Sequence, residues 1–320
     1  MESSTARSRR RARPSRRRPL LYTALAVAAV GGVPAGGTVY VKARAHAGPA
    51  AVSSASPSAS SPAGTGKEAA MTHPAAVDRK ARLDEAMAAV AVPSGAKVSV
   101  AVLATDSGDS AVHGTAAFDT ASIVKVDILA ALLLQAQDAD RRLTAAERVY
   151  ATKMIESSDN ASATALWHTI GRAAGLDAAN RRFGLTETSG GDGELWGLTQ
   201  TTAADQLVLL QQVFGKDSKL SAASRTYLQG LLKSVEADQQ WGVSAAAEGN
   251  SWALKNGWLA RSTTGLWDVN SIGRVTVDGS EYLVAVLSNG TTTLAQGIAL
   301  VEAAAQTAVS AFAGAGSGSD

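Results

Sequence analysis

Two serine–lysine pairs at S-x-x-K spacing, Ser122–Lys125 and Ser94–Lys97, have the residue types for nucleophilic catalysis. On a helix, a lysine three positions after a serine faces the same side. Its amine can take the hydroxyl proton once burial or a neighbouring cation lowers its pKa. Ser94–Lys97 lies in a Pro-Ser-Gly turn leading into a strand, where residues three apart point in different directions. Ser122 instead opens SIVKVDILAALLLQA, which reads as a buried helix over 122–136. Its N-terminus adds partial positive charge beside the hydroxyl. A plain structural explanation stands beside this one: Ser122 as a helix cap, Lys125 reaching to the surface.

Two further segments carry suitable chemistry. Ser158-Asp159-Asn160 sits at the junction of two expected helices. A hydroxyl and an amide two residues apart can relay a proton and bind a carbonyl, although the same triplet makes a good helix cap. Lys255-Asn256-Gly257-Trp258 lies in the strand-like SWALKNGW. Lys255 offers a cation for a carboxylate, and Asn256 an amide donor. Gly257 permits close backbone approach, and Trp258 an N–H for an oxyanion. The alternative is an exposed lysine on an edge strand.

Other chemistries lack support. The chain has no cysteine, which excludes disulfides, thiolate metal sites and a cysteine nucleophile. His46, His73, His113 and His168 are scattered without zinc-ligand spacing, so no metal is expected. No glycine-rich segment matches a phosphate or dinucleotide fingerprint, so no cofactor is expected. The formal charge of +2 hides a split: residues 1–66 carry ten Lys/Arg and one acid, and the rest is net −7. An acidic body argues against nucleic-acid binding.

The elements that must position these residues form an α+β pattern. A helix is expected at 78–91, strands at 98–105 and 111–113, and helices at 122–136, 144–156, 161–170, 176–183, 203–214 and 221–233. Strands follow at 251–258, 266–277 and 282–288, with Asp278-Gly279 as a hairpin turn, and a helix at 292–312 closes the chain. This order predicts a five-stranded, mostly antiparallel sheet. The terminal helices pack on one face, and an all-helical subdomain covers the other.

The domain would span 77–313, with a flexible tail at 314–320. Ahead of it, residues 1–18 form a basic cytoplasmic leader with eight arginines between Arg7 and Arg18. Residues 19–41 are uncharged and long enough at ~1.5 Å per residue to cross a bilayer core. The flanking charge predicts an N-in orientation with the domain outside the cytoplasm. Ala45-His46-Ala47 resembles a signal-peptidase site, so an uncleaved membrane anchor and a signal cleaved near Ala47 both stay open. Residues 42–76 read as a linker rich in Ala, Ser, Pro and Gly. A monomer is expected.

The three motifs, in this order and on helix, junction and strand, resemble those of the penicillin-recognising serine enzymes. These are the class A β-lactamases and low-molecular-weight penicillin-binding proteins, with S-x-x-K, S-D-N and K-[TS]-G. Roughly residues 78–312 share the resemblance. Phe118-Asp119-Thr120-Ala121-Ser122 is similar to the class A approach to the nucleophile, and Thr201-Thr202-Ala203-Ala204 to the segment after the Ω loop. WGLTQTTAADQ and KNGW are similar to class A-like serine hydrolases of high-GC Gram-positive bacteria.

The resemblance implies a fold of the β-lactamase/transpeptidase type and an acyl-enzyme mechanism on a β-lactam or a peptidoglycan-derived peptide. It implies Ser122 as nucleophile, Lys125 as its base and Ser158 as proton relay. Asn160, Lys255, Asn256, Gly257 and Trp258 would bind substrate, with the N–H groups of Ser122 and Trp258 as oxyanion hole. The sequence departs from the family at Asn256, where a Ser or Thr hydroxyl is usual, and between Lys125 and Ser158, which is short. Class A enzymes also place a glutamate in the Ω loop to activate the deacylating water. Here the loop is TETSGGDGELWGLTQ, leaving Glu187 and Glu194 as possible deacylation bases, neither in the family's context. The alternative is a penicillin-binding-protein-like enzyme, or a cell-envelope binding module, that acylates without efficient turnover.

Overall fold

The computed structural model describes residues 78–313. The expected leader, the 19–41 segment, the linker and the 314–320 tail lie outside the described residues. No helix among the described residues is long and apolar enough to cross a membrane.

Five strands form one antiparallel sheet: β1 (Lys97–Ala104), β2 (Ser110–His113), β5 (Trp252–Ala260), β6 (Trp267–Val277) and β7 (Ser280–Thr291), in the order β2-β1-β7-β6-β5. The turn between β6 and β7 is Asp278-Gly279, with φ of 49° and 76°. Two residues in the left-handed region match the right-handed twist of the strands they join. A second, two-stranded sheet pairs β3 (Phe118–Asp119) with β4 (Gln200–Thr201). Nothing in the alternation of so short a segment announces it.

Each face of the sheet has its own core, because alternate residues point to opposite faces. On one face, Val100, Val102, Val284 and Val286 pack with Leu83 and Met87 of α1 (Arg79–Met87) and with Val301 and Val309 of α8 (Leu294–Ala313). On the other, Ala101, Leu283, Ala285 and Leu287 meet α2 (Val124–Asp138) and the helical block. That block contains α3 (Ala145–Glu156), α4 (Asn160–Ile170), α5 (Arg172–Phe183), α6 (Ala203–Phe214) and α7 (Ala222–Lys233). The α+β layering is the one expected.

Local sequence chemistry sets the helix ends that frame the site. Thr144 and Glu147 form a capping box at the start of α3. Asp159 caps α4 by accepting from the Ser162 N–H at 2.7 Å. Gly171, at φ 93°, ends α4 in the left-handed region. α2 is buried on nearly all sides, including Lys125 and Asp127.

One boundary differs near the chemistry. Ser122 does not open the α-helix. It lies in a 3-10 turn, Ala121–Ile123, that runs into α2 at Val124. Ala121, at φ 48°, fits neither an α nor a 3-10 helix, so regular right-handed geometry begins only after it.

Candidate active site

Lys125 rises from the first turn of α2 and is fully buried. Its Nζ donates to Ser158 O at 2.6 Å, Ser158 Oγ at 3.0 Å and Asn160 Oδ1 at 2.8 Å. A single lysine thus gathers two of the S-D-N residues. Ser158 presents both its carbonyl and its hydroxyl because its φ of 55° turns the chain sharply between α3 and α4. Such a conformation costs a non-glycine residue roughly 1–2 kcal/mol.

Lys255, on β5, reaches the same hydroxyl: its Nζ donates to Ser158 Oγ at 3.0 Å and to Asn256 O at 2.9 Å. It too is fully buried, not an exposed edge lysine. Ser158 Oγ therefore joins two lysines that are 130 positions apart in the sequence. Burial, then the positive charge of Lys255, holds the Lys125 amine well below the usual lysine range, while Asp159 pulls it back up. Burial pushes the Lys255 amine down to about 7. Two ammonium groups in one dry pocket disfavour each other, which makes a neutral amine accessible.

Gly257 brings β5 against the serine turn. A Cβ there would lie 2.7 Å from the backbone nitrogens of Ser122 and Ile123, and 2.8 Å from Thr120 O. The ladder to β6 also decides where the Trp258 amide points. Ser251 pairs with Thr276, and Arg261 with Leu266, through backbone hydrogen bonds, so odd-numbered residues between them face β6. Trp258, an even position on this edge strand, turns its N–H to the free edge of the sheet.

Three expected site residues are not brought in as expected. Asn256 directs its side chain away: Nδ2 donates to Gln239 O at 2.8 Å and Trp241 O at 2.9 Å. Strand alternation demands this once Lys255 faces the site. Asn256 contributes a carbonyl, accepting from Lys255, and no substrate-facing amide. Glu194 is held on the surface, bonded to His168 Nε2 at 2.6 Å and Arg172 NH2 at 2.9 Å. Glu187 is exposed, with its own N–H bonded to Asp205 Oδ2 at 2.8 Å. Neither glutamate is among the charges that act on Lys125.

What covers Lys125 instead is Trp196, whose ring centroid lies 5.0 Å from Nζ. Trp196 Nε1 donates to Thr164 Oγ1 at 3.1 Å, which fixes the ring. A cation facing an aromatic ring is attracted by its quadrupole. The WGL segment was legible as similar to a family stretch, but nothing in it pointed this ring at Lys125. Among the described residues, no group of three or more His, Asp or Glu side chains is placed to hold a metal.

A sequence model of the beta-lactamase enzyme family matches residues 147–312, which includes Ser158, Asn160 and Lys255 and begins after Ser122 and Lys125. Among curated proteins, none matches the chain significantly. Solved structures with a similar fold include an ancestral class A beta-lactamase, at TM-score 0.61 and 23% identity over 72% of this chain and 100% of that one. A beta lactamase from Xanthomonas campestris aligns at TM-score 0.58 and 21% identity, covering 71% and 94%. PBP-A aligns at TM-score 0.63 and 20% identity, covering 73% and 96%. A mutant of PBP-A at TM-score 0.63 is an acyl-enzyme complex with penicillin G. At these identities the likenesses establish the shared fold.

Proposed function

The chain belongs to the beta-lactamase enzyme family, and from that premise we propose that it is a serine hydrolase acylated at Ser122 by a β-lactam or a cell-wall peptide. The observation that carries this reading is the convergence of Lys125 and Lys255 on Ser158 Oγ, with Gly257 of the same strand packed against the Ser122 turn. In its neutral form, Lys125 accepts the Ser122 hydroxyl proton as Oγ attacks the substrate carbonyl. The proton then passes through Ser158 Oγ to the leaving nitrogen as the C–N bond breaks. The N–H groups of Ser122 and Trp258 hold the oxyanion, and Asn160 orients the substrate amide. Lys255 supplies the positive charge for a substrate carboxylate. With Asn256 turned away, that carboxylate gains no partner from its side chain. The arginine-rich leader and the apolar 19–41 segment support action outside the cytoplasm, on an anchor or after cleavage.

A second reading concerns turnover. Glu194 is occupied by His168 and Arg172, and Lys125 is roofed by Trp196. These contacts favour an enzyme that acylates readily and releases the acyl group slowly, as penicillin-binding proteins do.

The test is incubation of the folded domain with a fluorescent penicillin, followed by intact mass measurement. The expected result is one adduct on wild type and none on Ser122→Ala. No adduct on wild type, or an equal adduct on Ser122→Ala, overturns acylation at Ser122. Nitrocefin hydrolysis reads the second half. The slow-release reading expects little turnover, unchanged by Glu187→Gln or Glu194→Gln.

A further inference from the structure

The residues just ahead of Ser122 adopt a conformation that an L-residue avoids. Ala121 has φ 48°, a left-handed position costing roughly 1–2 kcal/mol. Local sequence offers no reason for it, so something outside the turn must hold it. Thr120 N–H donates to Thr199 O at 2.9 Å, and Arg261 and Gln200 grip the Asp119 carboxylate. These hold the start of the segment. The carbonyls that lead into Ala121 are gripped by another residue.

That residue is Asn270 on β6. Its Nδ2 donates to Asp119 O at 2.9 Å and to Thr120 O at 3.0 Å. Its Oδ1 accepts from the Ser288 N–H at 3.0 Å. One N–H donor and two carbonyl acceptors around the amide leave only one orientation that satisfies all three. The side chain is fully buried, so each bond forms where water cannot replace it.

Asn270 also stands opposite Gly257 in the β5–β6 register. Directly paired residues on antiparallel strands point to the same face. Gly257 has no side chain, which leaves that face open for the serine turn to descend onto the sheet. Asn270 fastens it there by its carbonyls. The two positions thus act on the same few atoms, one by making space and the other by bonding.

We propose that Asn270 is a positioning residue for the nucleophile, holding the Asp119–Ala121 backbone so that Ser122 is presented to Lys125 and its N–H to the oxyanion site. It touches no reacting atom. This inference rests on the reading of Ser122 as nucleophile.

The test is Asn270→Asp, which is isosteric and keeps the acceptor for Ser288 N–H but replaces the donor with a second oxygen facing two carbonyls. Ser288→Ala is the control. It removes a buried hydrogen bond to Val269 O without touching the turn. For each protein, hydrogen exchange is measured on the peptide covering residues 118–126. Acylation by a fluorescent penicillin is resolved into non-covalent binding and adduct formation at saturation, from about pH 5 to about pH 9.

The expected result for Asn270→Asp is faster exchange in that peptide, unchanged non-covalent binding, and adduct formation slowed about a hundredfold. Relative to wild type, the defect should shrink toward acid pH, where a protonated carboxyl regains a donor. Exchange and acylation no different from Ser288→Ala overturn the proposal. So does a rate loss that follows thermal stability alone across both variants. If Asn270→Asp does not fold, Asn270→Ser carries the same comparison, with faster exchange expected and unchanged exchange fatal. If wild type takes up no adduct, the acylation reading fails, and the exchange measurement still decides whether Asn270 holds the turn.

Discussion

Gly257 illustrates how much a single atom decides at the residue scale. A Cβ at this position meets backbone, not flexible side-chain ends, in the turn that carries Ser122. Backbone held by Asn270 and Thr199 cannot give way cheaply. Gly257→Ala should therefore leave a folded protein destabilised by about 1–3 kcal/mol. Its adduct formation with penicillin should be at least about a hundredfold slower, since a displacement near 1 Å at a reacting atom costs that much. Thermal melting and adduct kinetics check both parts. Lys125 and Lys255 make the complementary point about charge. Each would be an ordinary cation in water; burial holds the Lys125 amine well below the usual lysine range and brings the Lys255 amine down to about 7.

At the scale of an element, α2 has two polar residues in its buried first turns, and they differ in purpose. Lys125 faces the site. Asp127 points to the opposite side, where Oδ1 accepts from Gln206 Nε2 at 3.3 Å and Oδ2 has no hydrogen-bond partner among the described residues. Burial, with a smaller push from Asp205, raises its carboxyl to about 7, against a Gln206 hydrogen bond that lowers it. Between the unfolded value of 3.8 and about 7 the folded state holds the proton more tightly. Wild-type stability from this group is therefore present at acid pH and is lost as pH rises through that window. Asp127→Asn keeps an acceptor for Gln206 and removes the titration. The variant should gain on the order of 1–3 kcal/mol over wild type at about pH 8, and little or nothing at about pH 4. Melting curves across that range check the sign. The loop between α5 and α6 is a second case. Its Glu194 bonds to the end of α4 and the start of α5, while Trp196, held by Thr164, lies over Lys125.

Across the whole molecule, the sheet separates stability from chemistry. The face toward α2 and the helical block carries Lys255, Gly257 and the motifs. The other face is an apolar sandwich with α1 and α8. Leu83 on α1 is fully buried in that second core. Leu83→Ala should cost about 2–5 kcal/mol of stability. Below its melting point the variant should be acylated at the wild-type rate, because Leu83 belongs to the core on the opposite face of the sheet. Chemical denaturation paired with adduct kinetics tests the separation. A fall in acylation by the folded variant would show that the two cores are coupled through the sheet.

The longer helices and strands, and the turn at Asp278-Gly279, were legible in the sequence. Each rests on periodicity, capping or turn chemistry within a few neighbouring residues. Strand alternation alone also sets Lys255 and Asn256 on opposite faces. Tertiary packing makes Lys125 and Lys255 share Ser158 and lays Trp196 over Lys125. It alone removed Glu194 from the site and bound Asn270 to the turn ahead of Ser122. Those contacts join residues 22 to 151 positions apart. They depend on which strand lies at the sheet edge and how closely backbone approaches backbone. No local pattern encodes that distance, because it exists only once both cores have closed around the sheet.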